Sequence, residues 1–263
     1  MTFMTVTKKS HEALIAQAFR AQDRENKRKG KHKLRSLEYF VAGVPPVGLF
    51  LLYVEDLEAL LVRHKDQPTP PPGLTEKCLI GLAAYFETFF KDLFAAAVNI
   101  CPELLDGFAS RRDCALTLTE VLHLTDGSKH KIGSILSEHY DWGSAQSVNG
   151  LFGDLLRVSP FSKDEAKLYA AFLNDRNLLV HHGGVYTFKY AKQKFSKKGL
   201  RRMAHWQSLT VRKHDVLKWS KLFRDIVKKT ALASQKVLEQ FVKSSKIKLG
   251  KERERALMLL DAE

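Results

Sequence analysis

Apolar residues recur along most of this chain at the spacing of amphipathic helices, so the pattern predicts an all-α fold. The broadest stripe spans residues 77–98. There Leu79, Leu82, Phe86, Phe89, Phe90, Leu93 and Phe94 cover an arc wide enough to be buried against several partners, with Thr75 placed to cap the helix. Before it, residues 47–63 carry Phe50, Leu51, Val54, Leu57 and Leu61 on one side; after it, residues 110–124, 132–138 and 149–156 offer shorter apolar faces. A further helix starts at a capping box, Ser162 with Glu165 three residues on, and sets Leu168, Phe172, Leu178 and Leu179 on one face. A last amphipathic helix spans residues 215–242. Only residues 185–190 have the β-branched and aromatic composition of a strand, and they predict a short hairpin or a mobile insertion before that helix.

The stretch Gln-Pro-Thr-Pro-Pro-Pro-Gly at residues 67–73 cannot continue a helix and divides the chain. The expected organisation is a basic N-terminal helical extension at 1–66, a proline-rich linker at 67–73, a helical domain at 74–242 and a charged tail at 243–263. In the extension Leu14, Ile15, Ala18 and Phe19 form a weak helical stripe. The charge run at 24–33 suits either a solvated segment or a contact with nucleic acid. In the tail, residues 256–260 form one apolar patch suited to packing on a neighbour.

Charge sharpens this picture. The 263 residues carry 43 Lys and Arg against 29 Asp and Glu, a formal charge of +14. The excess lies in two zones: residues 1–37 hold ten bases and three acids, and residues 176–214 hold ten bases and no acid. A basic flank without carboxylates suits a polyanion such as RNA. Within it Tyr186, Phe188, Tyr190, Phe195 and Trp206 alternate with Lys189, Lys192, Lys194, Lys197, Lys198, Arg201 and Arg202. That mixture can stack unpaired bases while neutralising phosphates, or it can pack a hairpin's rings on the core. The three cysteines lack C-x-x-C pairing and suit a reduced, cytoplasmic setting. The longest apolar run, residues 47–54, is far below the roughly 18–20 residues of a membrane span, and no charged-then-apolar leader is seen. A soluble protein that is not exported and has no membrane partner is expected.

Candidate chemistry gathers at residues 175–184, Asp-Arg-Asn-Leu-Leu-Val-His-His-Gly-Gly. Gly183 and Gly184 supply left-handed conformations for a helix end, which puts His181 in the final turn. Asn177 and His181 are four residues apart, a spacing at which an amide can fix an imidazole tautomer. Arg176, a planar fork suited to phosphate, lies about 140° around the helix from His181, so the two do not share a face on an ideal helix. His181 alone could equally be a terminal residue capping carbonyls. His182 is adjacent and points elsewhere on the helix, and it is a candidate for a supporting role at the site. Glu87, at the edge of the long stripe, suits either an i, i+4 pair with Lys91 or a partner for Arg176.

Arg176, Asn177 and His181, at the end of a late helix preceded by a long aromatic helix, resemble the signature of the HEPN superfamily. The likeness covers roughly residues 74–242. It implies an antiparallel helical bundle, a homodimer with a composite site, and a metal-independent endoribonuclease, a class that often serves defence or toxin–antitoxin roles beside an antitoxin or defence-system partner. On that reading His181 is base or acid, with one histidine from each protomer, Arg176 clamps the phosphate and Asn177 orients the imidazole or donates to the phosphate. A cyclic 2′,3′-phosphate product is expected. The alternative is a non-catalytic helical RNA-binding or complex-forming module in which the basic surface acts alone. No His or Cys pair has H-E-x-x-H or C-x-x-C spacing, and no nucleophile elbow, Walker loop or dinucleotide fingerprint occurs, so no metal or cofactor is expected.

Overall fold

The long aromatic stripe forms the axis of the molecule. The computed structural model describes residues 35–63, 73–114, 116–117, 120, 129–195 and 207–262. Among them it has nine α-helices and, in place of a sheet, a single β-bridge. Helix α2 (Leu74–Ile100) starts at Gly73, whose φ of 74° turns the chain into the helix. Thr75 therefore lies inside the first turn and donates its hydroxyl to Glu76 Oε2 rather than capping. From Phe89 onward nearly every α2 residue is buried, because helices surround it.

Helix α1 (Pro46–Arg63) runs antiparallel to α2: Leu57 meets Gly81, Tyr53 stacks on Tyr85, and Phe50 touches Phe86 and Phe89. Proline at the first helical position costs no hydrogen bond there. One compact unit runs from Ser36 to Glu263, and the division falls at Arg35/Ser36 rather than at the proline-rich stretch. The reason is α1 itself, which buries Phe50, Val54 and Leu61.

Helix α3 (Leu104–Ala109) precedes the stretch 110–124 where the sequence pattern suggested a helix; residues 110–114 are not helical, and 115, 118–119 and 121–124 lie outside the described residues. Helix α4 (Ile132–Glu138) crosses α2 so closely that a Cβ on Gly133 would sit 2.3 Å from the Ala95 carbonyl oxygen. Asn99 locks this crossing by accepting from Gly133 N–H at 2.8 Å and donating to the Tyr39 carbonyl at 3.0 Å. Helix α5 (Ala145–Leu156) is capped by Ser144. Helices α6 (Lys163–His182) and α8 (Lys213–Ser244) run antiparallel, with Phe172 against Trp219 and Phe223, and Glu165 against Lys229. Phe86 stacks on Phe223 with centroids 3.9 Å apart, joining α2 to that pair.

The C-terminal helix α9 (Lys251–Met258) buries Ala256, Leu257 and Leu260 in this same core, so the apolar patch of the tail packs on its own chain. Arg253 reaches back to the Ile100 carbonyl at 2.6 Å and to Glu103 at 2.7 Å, placing a cation on the open carbonyls of α2. No helix among the described residues is long and apolar enough to cross a membrane. The weak N-terminal stripe and the charge run at 24–33 lie outside the described residues.

Candidate functional site

Helix α6 is fixed at both ends. Ser162 Oγ accepts from Glu165 N–H, and Glu165 Oε2 accepts from Ser162 N–H at 2.7 Å, which completes the capping box. The same carboxylate binds Lys229 at 2.6 Å. At the other end Gly183 and Gly184 have φ of 57° and 81°, and Gly184 N–H donates to the Leu178 carbonyl at 3.1 Å. A Cβ would strain both positions, so the helix stops with His181 and His182 in its last turn, where the helix dipole favours cations.

The helix buries Tyr169, Phe172, Leu178 and Leu179, whereas Leu168, expected inside, is 44% exposed. Arg176 is half-buried. Its Nη1 donates to Asn177 Oδ1 at 2.9 Å, while its Nε is buried with no hydrogen-bond partner among the described residues. The amide of Asn177 thus holds the guanidinium rather than the His181 ring. His181 and His182 are exposed and take no partner among the described residues. Because α6 is a regular helix throughout, Arg176 and His181 of one chain remain about 140° apart.

Beside Arg176 lies a polar cluster that the sequence only half suggested. Glu87 forms no ion pair with Arg176 or with Lys91. Burial raises its carboxyl above the usual range, opposed first by Arg176 and then by Lys91, while Asp141 adds to the rise. Tyr169 is fully buried, and its hydroxyl also lacks a partner among the described residues. Burial, and then the charge of Glu87, push that phenol upward, with Arg176 opposing. Tyr169 was hidden because it reads as one more apolar position of the helix.

Within the basic segment after Gly184, residues 188–194 form a helix where strand-like composition suggested a hairpin strand: Thr187 caps α7 (Phe188–Lys194) through its hydroxyl, and residues 196–206 lie outside the described residues. The strand-like residues contribute only the bridge Val185–Ser208, with Leu209 N–H donating to the Gly184 carbonyl at 2.8 Å. Lys194 binds Asp175 at 2.8 Å, and Tyr190 donates to the same carboxylate at 2.6 Å, so this lysine is neutralised in place. Tyr186 stacks on Tyr190 and packs edge-on against Phe195, leaving Phe188, 78% exposed, as the free ring of the helix. Lys189 and Lys192 are exposed cations without partners among the described residues. Lys197, Lys198, Arg201, Arg202 and Trp206 lie outside the described residues. Asp175 heads the candidate stretch 175–184, but its partners, 15 and 19 residues away, leave no local sign of its part in holding α7.

Among the described residues no group of three His, Cys, Asp or Glu side chains converges as a metal site. No protein-family profile, curated protein or solved structure matches the chain.

Proposed function

We propose that this chain is a HEPN-like, metal-independent endoribonuclease acting through Arg176 and His181 in a homodimer. The observation that carries the reading is the last two turns of α6. They present an exposed imidazole and, about 140° around the helix, a guanidinium whose Nη1 is held by Asn177 and whose Nε has no acceptor among the described residues. Neutral His181 takes the proton of a ribose 2′-hydroxyl as that oxygen attacks phosphorus. Arg176 stabilises the charge on the non-bridging oxygens as the bond to the 5′-oxygen breaks. The leaving 5′-oxygen takes its proton from the second, protonated imidazole of the homodimer, giving a 2′,3′-cyclic phosphate and a 5′-hydroxyl end. Glu87 limits the local excess of positive charge around Arg176, and Lys189 and Lys192 extend the cationic surface along the RNA.

The test is single-turnover cleavage and equilibrium RNA binding by His181→Ala and Arg176→Ala chains whose folding has been checked by circular dichroism. Loss of turnover by about 100-fold or more with binding by His181→Ala within threefold of the parent supports the nuclease reading. The second reading, a non-catalytic RNA-binding module, draws on the 140° separation of Arg176 and His181 within one chain. It is favoured if both variants bind as the parent does and none of the three cuts.

A further inference from the structure

Among the described residues two positions other than glycine have a positive φ, Arg157 at 58° and Lys246 at 53°. Both are exposed cations just past the end of a helix. After α5, Arg157 N–H donates to the Gly153 carbonyl at 3.1 Å and Val158 N–H to the Phe152 carbonyl at 3.3 Å. After α8, Ile247 N–H donates to the Val242 carbonyl at 3.0 Å. Glycine is the usual residue at such helix stops, because a Cβ is crowded in the left-handed conformation. The helix dipole favours a cation there, but a side chain kept at a crowded position twice over calls for a reason beyond the fold.

What the two positions share is a groove of about 480 Å³ between α3, α5 and the end of α8. The buried Leu104, Leu155 and Leu156 form its floor, and the half-buried Val237, Phe241 and Ile247 complete its apolar lining. Arg157 lines the groove, and Lys246 stands between its lining residues Ser245 and Ile247. Arg111 adds a third cation that is held in place. Its Nε and Nη2 donate to the Asp154 carbonyl at 3.2 and 2.7 Å, and neither bond engages Nη1. The guanidinium lies over Gly107, where a Cβ would come within 3.3 Å of Nη2. Of the two carboxylates in the lining, Glu103 is bound by Arg253 at 2.7 Å, which leaves Asp106 against three cations.

An apolar interior under a cationic rim fits an anion with a hydrocarbon body. With water's share of roughly 30 Å³ taken for each non-hydrogen atom, the groove holds on the order of 15 of them. We infer that it binds a free amphiphilic carboxylate of about this size, with the chain against Leu155 and Phe241 and the carboxylate at Arg111, Arg157 and Lys246. None of these residues takes part in the nuclease reading, so the two stand or fall separately.

The probe is decanoate, titrated calorimetrically into the full chain beside decanol and decyltrimethylammonium, all below the concentrations at which they form micelles. Saturable binding of one decanoate per chain is expected, with decanol weaker by about tenfold or more and no uptake of the ammonium. Arg157→Gly removes a rim cation and relieves the crowded φ. It is expected to bind decanoate about fivefold more weakly while its Tm equals or exceeds that of the parent, and Arg157→Lys to bind within about twofold of the parent. Val237→Trp, which fills the groove, is expected to lower decanoate affinity by about tenfold or more with its circular dichroism unchanged. No binding of decanoate by the parent overturns the site, as does equal uptake of all three probes. Parent-like decanoate binding by Arg157→Gly overturns the role of the rim cations and with it the assignment to a carboxylate.

Discussion

Arg176 and Asn177, neighbours in sequence, are joined through their side chains, the guanidinium Nη1 donating to the amide Oδ1 at 2.9 Å. On the nuclease reading proposed above, this contact makes Asn177 a positioning residue for the phosphate clamp, with His181 taking no partner among the described residues. Asn177→Ala is expected to slow RNA cleavage by about 2- to 10-fold, the effect of one exposed hydrogen bond, with RNA affinity unchanged. Single-turnover kinetics check this, and a loss as deep as that of His181→Ala would assign the amide to the imidazole instead.

Asp175 anchors α7 through Tyr190 and Lys194. Asp175→Ala is expected to loosen that helix, seen as faster amide exchange over residues 188–194. It also frees Lys194, so the dependence of RNA affinity on salt steepens by up to about one ion per site. Unchanged exchange would mean that α7 is held by its apolar contacts alone.

Two glycines set opposite expectations. Gly133→Ala forces a Cβ to within 2.3 Å of the Ala95 carbonyl and is expected to destabilise the fold by about 3 kcal/mol or more. Gly153, inside α5, meets nothing within 4 Å, and Gly153→Ala is expected to add about 0.5–1 kcal/mol. Urea unfolding of both variants beside the parent gives the signs.

Asp92 is buried on α2, and burial raises its carboxyl to about 6, partly opposed by Lys91. With the folded-state value above the unfolded one, proton binding favours the fold below about pH 4, and that contribution is lost as pH rises through about 6. Asp92→Asn is therefore expected to match the parent near pH 4 and to exceed it at pH 7.5 by on the order of 2–3 kcal/mol. Thermal unfolding at the two pH values checks this, and an equal gain at both would point to packing rather than charge.

The parts of the fold set by local chemistry were legible in the sequence. The α2 stripe, the Ser162–Glu165 capping box, the Gly183 stop and the range of α4 are fixed by residues within a few positions of one another. What depended on distant partners was not. Leu168 sits on the apolar stripe of α6, yet it is 44% exposed. Residues 188–190 have strand-like composition, but a Thr cap and the Asp175 anchor make them helical. The tail patch at 256–260 looked like a surface for a neighbour because Arg253, which docks its helix on α2, gives no sign in sequence of its target 153 residues away. At the site, Arg176 and His181 were legible as residues and as a geometric problem. The hydrogen bond of Asn177 and the buried hydroxyl of Tyr169 were not, since the first depends on which way Arg176 turns and the second on the rings packed around it.

The most direct measurement is cleavage of an end-labelled single-stranded RNA by the parent chain in excess EDTA, with the product ends identified. Cleavage that leaves 2′,3′-cyclic phosphate and 5′-hydroxyl ends, and that disappears in His181→Ala, is the result expected. Intact RNA under those conditions, with salt-sensitive binding that His181→Ala and Arg176→Ala retain, would contradict the nuclease and leave a basic helical RNA-binding module.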